Sequence, residues 1–223
     1  MSIPPIALTK SAYAYDELRR RILTGQIKPG SVFSQTMLAQ ELGVSTTPLR
    51  EALRRLAAEG MVQLDSHRDA RVTPLTADEA RNLYVIRENL DPLAAALAAT
   101  SRTPDDVSSI EAALKRLTPL SDSSDLDALT AHRNFHRAIY VASHNPLLIG
   151  ILEGLWDKAD QYRQIGLQNQ QDSSADQDRV QQEHVQIAEA VIAGQADRAR
   201  EVMQRHVLGS LGRRAIDVLE GPK

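Results

Sequence analysis

A mainly α fold in two unequal parts is what the sequence predicts: a winged helix-turn-helix with a small two-stranded wing over residues 1–75, then an all-α helical bundle over residues 76–223. Three observations carry this. Two short amphipathic segments hinge on Gly43, which is the pattern of a helix-turn-helix. A short stretch at 61–74 alternates apolar and polar residues, after which strand signals cease. Near Pro74 the charge changes sign: residues 1–75 carry 10 Lys and Arg against 7 Asp and Glu, whereas residues 76–223 carry 16 against 22. A mildly basic unit thus precedes an acidic one.

With 223 residues, 42% hydrophobic and 25% charged, the chain has the make-up of a soluble globular protein of one or two domains. Aromatics are only 4%, so the core is expected to be built from Leu, Ala, Ile and Val. The absence of cysteine excludes a disulfide framework, thiolate zinc sites and a cysteine nucleophile. The start, MSIPPIALTK, lacks the basic residues and apolar run of a signal peptide, and no run of about 18 apolar residues occurs. A cytoplasmic location without a membrane partner is the expectation.

In the basic unit, SAYAYDELRRRILTG reads as a helix with Tyr15, Leu18, Ile22 and Leu23 on one side and Gly25 at its end. QIKPG then turns the chain. Ser34 stands where it can cap a short helix, QTMLAQEL, closed by Gly43. In STTPLREALRRLAAEG, Ser45 or Thr47 can cap, and Pro48 sits in the first turn where its missing N–H is harmless. Leu49, Ala52, Leu53, Leu56 and Ala57 form its apolar stripe. Thr46, Thr47, Arg50 and Arg54 are left outside. Beyond Gly60, MVQLD and ARVTP alternate like two strands joined by the polar turn SHRD.

Short polar residues and arginines at the start of an exposed helix suit DNA: hydroxyls bond phosphates, and Arg reaches phosphates or guanine edges. The same side chains also suit a merely solvated face. The run RILTGQIKPGSVFSQTMLAQELGVSTTPLREALRRLAAEGMV resembles the DNA-binding domain of GntR-family bacterial transcription regulators, over residues 15–74. That resemblance implies double-stranded DNA as a partner, contacted through Ser45, Thr46, Thr47, Arg50 and Arg54, with His67 and Arg68 at the wing tip. Two positions depart from the family. Thr46 stands where it usually has Arg, which removes a base-reading side chain, and Asp69 stands where it has a wing Gly, which puts a carboxylate near the groove. An adaptor with a degenerate helix-turn-helix is the reading those departures would favour.

In the acidic unit six stretches with helical apolar spacing, beginning at Ala77, are separated by Pro, Gly or Ser/Asp clusters, as in a bundle of about six helices. Pro92 is expected to kink the first. QNQQDSSADQD reads as a polar inter-helix loop. The histidines are the chemical signal. AHRNFHRAI places His132 and His136 one above the other on a helix face. His184 lies ten residues before Gly194 and His206 eleven after Gln195, so a helical hairpin turning at GQAD brings both to one level, about 15 Å from the turn. Imidazoles converging in a bundle are a first shell for a borderline divalent metal. Singly hydrogen-bonded core histidines fit the same spacing. HRNFH lacks the Glu of a metalloprotease motif, and no general base stands out, so a metal-dependent hydrolase is the weaker reading.

RNFHRAIYVASHNPLL and EHVQIAEAVIAGQADRAREVMQRHV resemble the metal-carrying segments of the FCD effector domain, found in the FadR subfamily of GntR regulators. The resemblance implies His136, His184 and His206 as ligands, with His132 standing where the family has an Asp. A four-His shell, a three-His shell with His132 turned away, and a lost site all remain open. A neutral ligand in place of a carboxylate makes the site more positive, favouring Zn or Ni over harder ions and attracting an anionic effector. His144, where relatives have Gly, reads as a helix-boundary residue. Arg87 matches a family arginine; Arg163, beyond Trp156 and Tyr162, and Tyr140, one turn beyond His136, complete the effector candidates. A homodimer on a pseudo-palindromic operator, releasing or binding it in response to a small organic or sugar acid, is then the expected function. Repression is the sign assumed for it, which no residue fixes.

Overall fold

Thr9 opens the first helix, α1 (Lys10–Leu23), by accepting a hydrogen bond from the Ala12 N–H through its side chain. The computed structural model describes residues 9–64, 69–120, 125–169 and 173–221, and divides between Leu75 and Thr76 into two compact units.

In the first unit α1 is followed by β1 (Val32–Ser34), α2 (Gln35–Glu41), α3 (Thr46–Ala58), β2 (Val62–Leu64) and β3 (Asp69–Val72). Gly43 sits between α2 and α3 at φ 65°, a left-handed turn that a side chain would strain. The stripe expected on α3 is the buried one: Leu49, Ala52, Leu53 and Leu56 meet Ala14, Leu18 and Ile22 of α1 in one core. Tyr15 lies at its edge, with the Arg55 guanidinium 3.8 Å above its ring and its hydroxyl on Glu59. The wing differs from expectation. It is a three-stranded antiparallel sheet in the order β1-β3-β2, and the extra strand is Val32–Ser34. Three residues are too few to show a period of two, so only pairing with β3 reveals them. Asp69 belongs to β3, opposite Ser34, rather than to the turn.

In the second unit every regular element among the described residues is a helix. Thr76 caps α4 (Ala77–Ser101), which continues across Pro92 although that residue cannot donate to the preceding turn. Then come α5 (Pro104–Lys115), α6 (Leu126–Ala142), α7 (Pro146–Gly154), α8 (Trp156–Asn169), α9 (Ser174–Ile192), α10 (Ala196–Leu208) and α11 (Leu211–Glu220). Eight helices replace the expected six because two long stretches are broken, one at Leu155 and one at Gly209–Ser210. The polar run taken for a loop is helical at both ends: α8 reaches Asn169, and Ser173 caps α9 by accepting from the Asp176 N–H. His144 takes φ 49° just beyond α6, the left-handed position at which helices commonly end on Gly. Packing surrounds α4: α10, α11, α6 and α9 all lie against it, and α11 also lies along α8.

Candidate functional site

The surface of α3 presents Thr46, Thr47, Arg50 and Arg54 to solvent, directly behind the buried Leu49 and Leu53. Ser45 occupies the cap position, but its side chain makes no capping hydrogen bond, contrary to the expectation from sequence. Arg50 is tied from behind. Its Nε donates to Gln35 Oε1 at 3.2 Å, while Gln35 Nε2 donates to the Asp69 carbonyl at 3.3 Å, linking α3 to the wing. His67 and Arg68 lie outside the described residues.

Inside the second unit, α6 carries His132 and His136 on its buried face beside Leu129, Phe135 and Ile139. The hairpin of α9 and α10 delivers His184 and His206, whose ring centroids lie 4.5 Å apart. Between the two pairs the centroids are 5.2–6.3 Å apart, and all four residues are buried. One ring nitrogen from each lies within 4.8 Å of the others.

This donor set fits a divalent metal ion. His132 Nδ1, both nitrogens of His136 and His184 Nε2 are buried without a hydrogen-bond partner among the described residues. Each such atom costs about 1–3 kcal/mol if left unpaired, and one nitrogen from each of the three rings can be satisfied by a shared partner. Burial, reinforced by the neighbouring imidazoles and arginines, pushes His132, His136 and His184 well below the ordinary histidine range. They are therefore neutral, and neutral imidazole nitrogens are the form that ligates. His206 differs: its Nδ1 is 3.0 Å from Glu183 Oε2. That carboxylate favours a proton on Nδ1 and leaves Nε2 for coordination. Burial opposes the charge on Glu183, but hydrogen bonds from His206 and Arg179 hold it below the usual carboxylate range. Glu183 was not anticipated from sequence, where it is simply the residue before His184.

Arg87 and Arg163 line a cavity of about 50 Å³ together with His132, His184 and His206. Each is paired within its own helix rather than between helices. Arg87 Nε meets Asp91 Oδ2 at 3.0 Å, and Arg163 meets Asp160, which also takes Arg133. Arg87 Nη1 remains buried without a partner among the described residues. Tyr140 does not line the cavity. Its hydroxyl donates to Asp91 Oδ1 at 2.5 Å, and its ring packs with Ala94, Leu148, Leu152 and Trp156. Its place is behind Arg87, as a support for Asp91. Trp156 has the guanidinium carbons of Arg87, Arg133 and Arg163 5.2, 5.7 and 5.8 Å from its ring centroid, an aromatic floor beneath the cationic groups.

Comparison with known proteins places these units. Residues 10–72 match the bacterial regulatory proteins of the gntR family, and residues 82–209 match the FCD domain. Escherichia coli (strain K12) McbR, an HTH-type transcriptional regulator, is 30% identical over 142 residues, covering 63% of this chain and 64% of its own length. Bacillus subtilis (strain 168) YdhC, an HTH-type regulator, is likewise 30% identical, over 64% of this chain and 65% of its own, so the chain spans under two-thirds of either. The E. coli repressor GlaR is 28% identical over 87% of this chain and 90% of its own. Among solved structures, E. coli McbR/YncC superposes with a TM-score of 0.72 at 24% identity, covering 90% of this chain and 96% of that one, which establishes the fold. These families and relatives are transcription regulators, which removes the hydrolase reading. The chain belongs to the gntR family of bacterial regulatory proteins, with an FCD domain following its gntR-type unit.

Proposed function

We propose that this regulator binds a pseudo-palindromic operator as a homodimer and answers to a small organic or sugar acid bound beside a metal ion held by His132, His136, His184 and His206. The observation that carries the reading is the buried cluster of four imidazoles, three of which line a cavity together with Arg87 and Arg163, with no carboxylate among its described lining residues. With His132 in place of an acid the shell is neutral, so a bound ion keeps its full charge, and Zn or Ni suits the nitrogen donors. When bound, that ion would supply a Lewis-acidic centre for an anion. Arg87 and Arg163 add hydrogen-bond donors, and Tyr140 and Asp91 hold Arg87 in place. On DNA, Arg50 and Arg54 reach bases or phosphates, while Ser45, Thr46 and Thr47 bond phosphates at the start of α3. Among the described residues no helix is long and apolar enough to cross a membrane, and a cytoplasmic location suits a DNA-binding role.

Anisotropy with DNA from the chain's own promoter tests the reading. Arg50→Ala is expected to weaken binding by about 1–3 kcal/mol, and more than Arg54→Ala. Binding should also fall steeply with salt, as several phosphate contacts release counterions. Parent-like affinity in Arg50→Ala at equal salt, or a flat salt response, would instead favour the adaptor reading.

A further inference from the structure

Part of the cavity wall is formed where α10 gives way to α11, at Gly209 and Ser210. Ser210 is the N-cap residue of α11, with extended backbone (φ −71°, ψ 149°), yet its side chain makes no capping hydrogen bond. Its Oγ is buried and without a partner among the described residues. The first N–H groups of a helix have no intrahelical acceptor and carry the positive end of its dipole. An independent feature faces the same space. Arg87 is 4% exposed, lines the cavity, and keeps Nη1 buried and unpartnered after Asp91 has taken Nε. A hydroxyl, a guanidinium nitrogen and a helix N-terminus thus line one space whose described lining residues include no acid.

We propose that Ser210, the first turn of α11 and Arg87 form a carboxylate-binding subsite in this cavity. The inference rests on reading the cavity as the effector site and adds where the acid group is held and which element it fixes. A guanidinium nitrogen beside a helix N-terminus offers charge-assisted donors, which suit a carboxylate better than a neutral hydroxyl. A ligand clamped here ties α10, α11 and α4 together. The first turn of α11 is already seated on α4: a Cβ at Gly212 would lie 1.7 Å from the Tyr84 hydroxyl oxygen, and Arg87 lies over the Tyr84 ring. An anion at Ser210 therefore stabilises α11 against α4 and α8, making the last helix the element that registers occupancy.

The test uses full-length protein, zinc-loaded and chelator-treated, with malonate as the probe. Titration calorimetry gives its affinity, and hydrogen exchange reads the amides of residues 211–213. Malonate is expected to slow that exchange at least about fivefold. Ser210→Asp places a favoured residue type at the helix N-cap but fills the subsite with a carboxylate, so it should weaken malonate at least about tenfold without loosening α11. Arg87→Gln combined with Asp91→Asn removes the guanidinium without stranding its partner and should weaken malonate similarly. Malonate that binds without protecting residues 211–213, or binds Ser210→Asp as tightly as the parent, would overturn the subsite and place the anion at the histidines alone. The regulator reading would survive that result. No binding by either form at concentrations of about 50 mM, weaker than any useful sensor, would also overturn it. Protection of α11 in a protein that fails to bind promoter DNA would sustain the subsite while removing the regulator reading.

Discussion

His132 decides the chemistry of the buried cluster. An imidazole at that position gives the nitrogen-only set described above, and its Nδ1 is one of the unpartnered buried atoms. His132→Ala is expected to weaken zinc binding as loss of a ligand does, whereas His132→Asp should retain metal and shift preference toward Mn and other harder ions. Competition titrations of the two variants check this; unchanged affinity in His132→Ala would mean that His132 stands outside the shell. Glu183 acts one step further out. Glu183→Ala should cost about 10–100-fold in zinc affinity by freeing the His206 ring, with Glu183→Gln intermediate. The four histidines were legible because i, i+4 spacing and equal distance from a hairpin turn are properties of one chain segment each. Glu183 was not, because its partner sits on the facing helix. Glu17 offers a separate pH test in the first unit. Hydrogen bonds from Arg20 and Arg21 lower its pKa from 4.5 to about 2. A carboxylate lowered in this way stabilises the fold fully above the unfolded value and loses that contribution as pH falls from about 4.5 to 2. Glu17→Gln should flatten the acid limb of the unfolding curve in that window.

Among the elements, α3 and α4 do the positioning. Leu53 has no exposed surface and joins α3 to α1, so Leu53→Ala should cost about 2–5 kcal/mol in denaturant unfolding of the first unit. In α4, Tyr140→Phe from the neighbouring α6 strips Asp91 of a buried donor. A loss of about 1–3 kcal/mol is expected in unfolding of the second unit. A cost near zero would show that Arg87 alone suffices to satisfy Asp91. Helix identity was largely readable from apolar spacing and caps, as the buried stripe of α3 shows. Boundaries set by tertiary packing were not. β1 exists through its pairing with β3, and the breaks at Leu155 and Gly209–Ser210 interrupt apolar patterns that run on regardless. Residues at the second of these breaks, Gly209 and Ser210, line the cavity, so the sequence revealed the histidines without revealing this part of the wall.

At the scale of the whole chain, the proposed function assigns DNA to the basic unit and sensing to the acidic one. Metal binding ties α6 to the α9–α10 hairpin, so it should stabilise the second unit by about 2.7 kcal/mol at a hundredfold excess over the dissociation constant. Chelation should accordingly lower the melting temperature of the helical unit, while denaturation followed in the first unit stays unchanged. The fold class and the match to both families agree with the patterning of apolar and polar residues across all of this. The claim on which sensing depends is that the four histidines hold an ion. Metal content per chain in purified protein, measured beside a His136→Ala, His184→Ala double variant of shown helicity, tests it most directly. About one Zn or Ni per parent chain and background metal in the variant is the expected result; the same metal content in both would contradict it.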